Sequence, residues 1–60
     1  MIIHLHLEED DFKEVLKIER VRLVSFHRNR INDSAYLEIE ADEAELLYLT
    51  IKYGEERVWN

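Results

Sequence analysis

Ile3, Leu5 and Leu7 occupy every second position at the start of the chain, with Ile2, His4 and His6 between them. A period of two with β-branched residues predicts a strand from Met1 to Leu7. Glu8, Glu9, Asp10 and Asp11 then break the alternation, and Phe12, Val15 and Leu16 follow at the i, i+3, i+4 spacing of one helix face. Acids suit the positive end of a helix dipole and Lys17 suits its negative end, so a short helix ending near Lys17 is expected.

Arg20 to Phe26 and Tyr36 to Ala41 read as two strands joined by the loop His27 to Asp33. One antiparallel register sorts their side chains by face. Val21 opposes Ile39, Leu23 opposes Leu37 and Ser25 opposes Ala35, a face fit for a core. Arg20 opposes Glu40, Arg22 opposes Glu38 and Val24 opposes Tyr36 on the other face. Slipping one residue would exchange the faces.

Asp42 followed by Glu45 has the form of a capping box, and Gly54 stands where a helix-ending glycine belongs. A helix from Asp42 to Tyr53 is expected, with Ala44, Leu47, Tyr48 and Ile51 facing the sheet. Leu46, Leu49 and Tyr53 make a second apolar stripe. Phe12, Leu16 and Trp59 are candidates to cover it; a second subunit or a partner is the other. Residues 46–53 also alternate, so a strand is the competing reading. Arg57 to Trp59 closes the pattern as a last strand.

The order β-α-β-β-α-β predicts an α+β fold, a minimal ferredoxin-like sandwich with two helices on one face of an antiparallel sheet. The alternative is one helix on a β-meander. The open face would carry Ile2, His4, His6, Arg20, Arg22, Val24, Phe26, Tyr36, Glu38 and Glu40, with the two histidines beside the two glutamates.

At 60 residues the chain is read as a single small domain, residues 1–60, with a marginal core. It has no cysteine, so disulfides and thiolate zinc sites are excluded. The start lacks a basic leader, and no apolar run approaches the roughly 20 residues of a membrane span. A cytoplasmic protein without membrane contact is expected. Asn32-Asp33-Ser34 matches a glycosylation sequon, which carries no meaning inside the cell.

Charge changes the picture. The net charge is −6, yet Lys17, Arg20, Arg22, Arg28 and Arg30 crowd between residues 17 and 31 with Glu19 as their only opposing acid. Three basic residues face thirteen acids in the rest of the chain. Such a surface repels nucleic acid and attracts basic proteins, so no direct DNA binding is expected. Paired with acids across the hairpin, Arg20 and Arg22 are accounted for; His27, Arg28 and Arg30 remain as a second candidate site beside Phe26.

Candidate chemistry is sparse. His4 and His6, with Glu38 or Glu40, have the residue types of a zinc site, although two exposed histidines hydrogen-bonded to glutamates explain the pattern as well. No metal or cofactor is assigned. Phe26 and Tyr36 on an open sheet face suggest RNA stacking, against which Glu38 and Glu40 would repel phosphates. Ser25, Ser34 and Thr50 stand in no nucleophile motif, and a single glycine cannot build a phosphate-binding loop. The chain is read as non-enzymatic.

Short, acidic, cysteine-free and motif-free, the sequence resembles in general character the small acidic proteins that block nucleic-acid-binding enzymes, phage-encoded inhibitors and anti-CRISPR proteins among them. The leading expectation is an acidic inhibitor or adaptor for a basic, nucleic-acid-binding protein surface. Its contact residues would be Glu8, Glu9, Asp10, Asp11, Glu38, Glu40, Asp42 and Glu43, with Phe26 and Tyr36 as aromatic anchors. A structural or regulatory subunit acting as a homodimer through its apolar helix is the alternative, and RNA binding through the loop arginines and sheet aromatics is the minor one.

Overall fold

Alternation at the start of the chain produces its central strand. The computed structural model describes all 60 residues as β1 (Ile2–Glu8), α1 (Glu9–Leu16), β2 (Arg22–Asn29), β3 (Ser34–Glu40), α2 (Glu43–Tyr53) and β4 (Val58–Trp59). The strands form one sheet in the order β2-β3-β1-β4, with every neighbouring pair antiparallel. Ile3, Leu5 and Leu7 of β1 lie opposite Ile39, Leu37 and Ala35 of β3, and all six are buried. Phe12 and Val15 of α1, Leu49 of α2 and Val58 of β4 close over them in a single core cluster. The radius of gyration is 10.4 Å, close to the roughly 10 Å expected of a compact chain of this length.

Both helices form where their end signals stand. α1 opens on Glu9, Asp10 and Asp11, and Lys17 caps its end. At α2, Asp42 Oδ1 accepts from the Glu45 N–H at 3.2 Å. Gly54, with φ +97°, ends the helix and donates its N–H to the Thr50 carbonyl at 2.8 Å. A Cβ at Gly54 would meet nothing within 4 Å, so the glycine serves the backbone angle and not a tight contact. Residues 46–53 are therefore helical, and the strand reading is excluded.

The facing of α2 is opposite to the expected one. Leu49 and Glu45 are buried, with Leu46 and Tyr53 packed against the core. Leu47, Tyr48 and Ile51 point outward, 63%, 51% and 77% exposed. Either stripe offers comparable apolar surface. The observed one lets the Tyr53 hydroxyl reach the Asp11 carbonyl of α1 at 3.5 Å.

The hairpin register also differs. Arg22 and Leu23 lie opposite Glu40 and Ile39, but Ser25 to Asn29 lie opposite Glu38 to Ser34. Val24 is an extra residue, a β-bulge. Ahead of the bulge the expected register is off by two residues, which preserves the faces. Beyond it the offset is three, which exchanges them. Phe26 therefore leaves the open face and meets Phe12 edge-on, ring centroids 5.2 Å apart. Ser25 moves the other way, opposite Glu38.

The predicted seven-residue loop shrinks to a four-residue turn, Arg30 to Asp33. Asn29 Oδ1 accepts from the Ile31 N–H, and Asn32 Oδ1 accepts from both the N–H and the hydroxyl of Ser34. Asp33 takes φ 54°, a left-handed angle that Asp tolerates better than most residues.

Candidate functional site

The acids proposed as contacts divide between the two ends of the sheet. β1 and β3 run antiparallel, so Glu8 lies beside Ser34 and Ile2 beside Glu40. Glu8 to Asp11 thus gather at one end, while Glu40, Asp42 and Glu43 gather at the other. Six strand steps separate the groups, about 20 Å. Glu38 stands between them on the open face, across from His4.

Their electrostatic state is uneven. Glu9 binds Lys13 at 3.1 Å and Arg28 at 3.2 Å. The Lys13 hydrogen bond and charge, followed by the Arg28 charge, hold the Glu9 carboxyl below its ordinary range. Glu40 pairs with Arg22 at 3.1 Å, whereas the sequence matched Arg22 to Glu38 and Arg20 to Glu40. The register change explains the exchange, and Arg20 precedes the strand, close enough to Asp42 and Glu45 for its charge to act on both.

Asp42 and Glu45 divide their titration. The contact of the two carboxyl side chains, ahead of the Glu45 backbone N–H, lowers Asp42, and that side-chain contact raises Glu45, with desolvation and the Asp42 charge adding to the rise. Glu45 is 9% exposed, and its Oε2 is buried without a partner. It belongs to the core margin and not to an outward site. Glu8, Asp10, Asp11, Glu38 and Glu43 make no ion pair, and the four ion pairs of the molecule occupy only three of its fourteen carboxylates.

The two proposed aromatic anchors are not brought together. Tyr36 stays on the open face, 52% exposed, and stacks on His6 with centroids 4.3 Å apart. Phe26 lies on the helix side. The second candidate site is likewise divided: His27 opposes Tyr36 on the open face, Arg28 turns to Glu9 on the helix side, and Arg30 sits in the turn. His27 and Arg28 belong to β2, not to a loop.

Each histidine of β1 is spoken for by a ring. His4 stacks on Trp59 at 5.7 Å, and only Glu38, not Glu40, lies opposite a histidine. No group of three or more His, Asp or Glu residues is arranged to hold a metal ion.

Near His6 a shallow cavity of about 200 Å³ is lined by Glu8, Asn32, Ser34 and Arg57. It contains a serine–histidine contact, His6 Nε2 to Ser34 Oγ at 3.3 Å. The Ser34 hydroxyl donates its one proton to Asn32 Oδ1 at 2.6 Å, and Ser34 is buried. With that proton directed to Asn32, the hydroxyl does not donate to His6, and the pair lacks the serine-to-histidine hydrogen bond of an activated nucleophile.

The surface that sequence reasoning placed inside is the outer stripe of α2. Leu47, Tyr48 and Ile51 are adjacent on one helix face, and a shallow groove with Glu43, Leu46 and Thr50 runs beside Leu47. The signal for this facing was the i, i+4 spacing of Glu45, Leu49 and Tyr53. A glutamate in that series concealed it. No helix is long and apolar enough to cross a membrane. Comparison with known proteins returns no matching family model, no similar curated protein and no similar solved structure.

Proposed function

We propose that this chain is a non-enzymatic acidic protein-interaction module, an inhibitor or adaptor that binds a basic, nucleic-acid-binding surface of another protein. The observation that supports this reading is the excess of unpaired carboxylates on a small scaffold. Eight basic residues cannot neutralise fourteen acids, and half of them are already tied in ion pairs. Asp10, Asp11 and Glu43 stand at helix starts, where their backbone positions are fixed before any partner arrives. In the complex these acids occupy positions that phosphates would take. The scaffold is read as a minimal ferredoxin-like sandwich, a reading supported by the β-α-β-β-α-β order and the antiparallel neighbours.

Affinity capture on the immobilised chain, eluted with duplex DNA, tests the proposal. It expects the retained partner to be released by DNA and to bind that DNA itself. A partner that DNA does not displace contradicts the reading.

A second reading rests on the α2 stripe. Three large apolar side chains exposed side by side on one helix support a contact there, and burying them would relieve a marginal core. On this reading the chain is a structural or regulatory subunit that dimerises through α2, and sedimentation at high concentration distinguishes it.

A further inference from the structure

Both helices lie against the face of the sheet that carries Ile3, Leu5 and Leu7, and the other face is left to solvent. Its side chains form rows across the strands. Ser25, Glu38, His4 and Trp59 make the middle row, in the order β2, β3, β1, β4. His27, Tyr36 and His6 make the row toward the hairpin turn, and Arg22, Glu40 and Ile2 make the row toward the other end. All three histidines of the chain thus share one face with its only tryptophan. Because His6 stacks on Tyr36 and His4 on Trp59, flat rings border Glu38 along its own strand and across the next one. Tyr36 and Trp59 remain 52% and 42% exposed.

Glu38 is the unbalanced member of this face. It is half-buried and makes no ion pair. Ser25 on one side of it has a hydroxyl without a partner, and His4 on the other is turned to Trp59. The cations of the face are engaged elsewhere: Arg22 is held on Glu40 at 3.1 Å, and Arg57 lines the cavity beside Glu8. A carboxylate that has lost part of its hydration and gained no partner favours an incoming cation. The rings choose among cations. A guanidinium is planar, takes a carboxylate in two parallel hydrogen bonds and lies flat on an aromatic ring, whereas an ammonium is a strongly hydrated point charge. Alternate residues of a strand are about 7 Å apart, so a guanidinium on Glu38 is within reach of the Tyr36 ring. The same carboxylate repels phosphate, which disfavours nucleic acid on this face.

We propose that the open face around Glu38 is a docking site for an arginine side chain of a protein partner, its guanidinium seated on the Glu38 carboxylate and against the Tyr36 ring. Trp59, two strand spacings or about 10 Å from Glu38, is placed to meet the chain that carries the arginine. The arginine belongs to the basic partner inferred above, and on that reading the open face grips it at a point that neither acidic end of the sheet supplies.

A capped glycine-arginine-glycine peptide, which brings one guanidinium and little else, is the probe. It is titrated into the full chain and followed by amide NMR and by the fluorescence of Trp59. Shifts should concentrate on His4, Tyr36, Glu38 and Trp59, with affinity about fivefold above that of glycine-lysine-glycine. Glu38→Gln should weaken binding at least about fivefold, and Tyr36→Ala about threefold. Asp10→Asn combined with Asp11→Asn should leave it within about twofold, since exposed charges that far away are largely screened. No binding, equal binding of the two peptides, shifts gathered at the helix starts, or indifference to Glu38→Gln overturns the proposal. So does a short oligonucleotide that binds this face when the peptide does not, or a shift of the open face that grows with the chain's own concentration and needs no peptide. The occupant is then nucleic acid or a second copy. Failure of the peptide leaves the basic partner standing, because capture and elution with DNA read the whole acidic surface; a captured partner that DNA does not displace sinks that reading whatever the peptide does.

Discussion

Glu45 is the residue at which packing and charge conflict most directly. Its backbone N–H completes the Asp42 cap while its carboxyl is held at the core margin with Oε2 unpartnered. Contact with Asp42, together with desolvation, raises its titration, so the folded state binds its proton more tightly than the unfolded chain does. Stability from this group is therefore present below its ordinary value near 4.5 and is lost as pH rises through the raised value. Asp42 is lowered and acts in the opposite sense, adding stability above 3.8 that is lost on acidification. Replacing Glu45 by Gln removes the charge and keeps the shape. The Tm of Glu45→Gln should exceed that of the wild type at pH 7, and the gain should vanish toward pH 4. Thermal melts across that range check it. A constant difference at all pH values would show that the carboxylate charge is irrelevant.

At the scale of elements, the strands and helices were legible in the chain, and their facing was legible only in part. β1 alternates strictly, and its buried set is the one the pattern names. The end signals of α2, Asp42 and Gly54, stand where they were read. What failed was orientation. A helix apolar on nearly every side has no strong direction, and the observed rotation buries Leu49 and brings Tyr53 to Asp11 despite carrying Glu45 inward. The hairpin failed at one residue. Nothing about Val24 in sequence marks it as a bulge, yet every side chain after it changes face. A double-mutant cycle on Phe12→Ala and Phe26→Ala tests the new register and should yield a coupling of about 0.5–1.5 kcal/mol. Without the bulge the two rings would lie on opposite faces and the coupling would be near zero. The rotation of α2 has its own test. Leu49→Asp should unfold the protein, whereas Ile51→Asp should shift stability by no more than about 0.5 kcal/mol in chemical denaturation.

Across the whole molecule, charge is arranged by end and by edge. Composition foretold the excess of acid, but not that the acids would separate into two groups about 20 Å apart. That separation follows from antiparallel pairing of β1 with β3, a long-range fact absent from any local pattern. The basic stretch likewise proved not to be an arginine loop. Arg22 and Arg28 pair with Glu40 and Glu9 from opposite faces of one strand, and what that strand leaves open is its backbone edge. The acidic ends and the α2 stripe imply opposite responses to salt, since exposed charge is screened and apolar contact is not.

The most direct test is therefore the affinity of a captured partner measured at about 50 and about 300 mM salt, for the wild type, for Asp10→Lys with Asp11→Lys, and for Ile51→Asp. The acidic-module account predicts at least about a tenfold loss with salt, a comparable loss on charge reversal, and no change for Ile51→Asp. Binding that ignores salt and charge reversal but disappears with Ile51→Asp would contradict it.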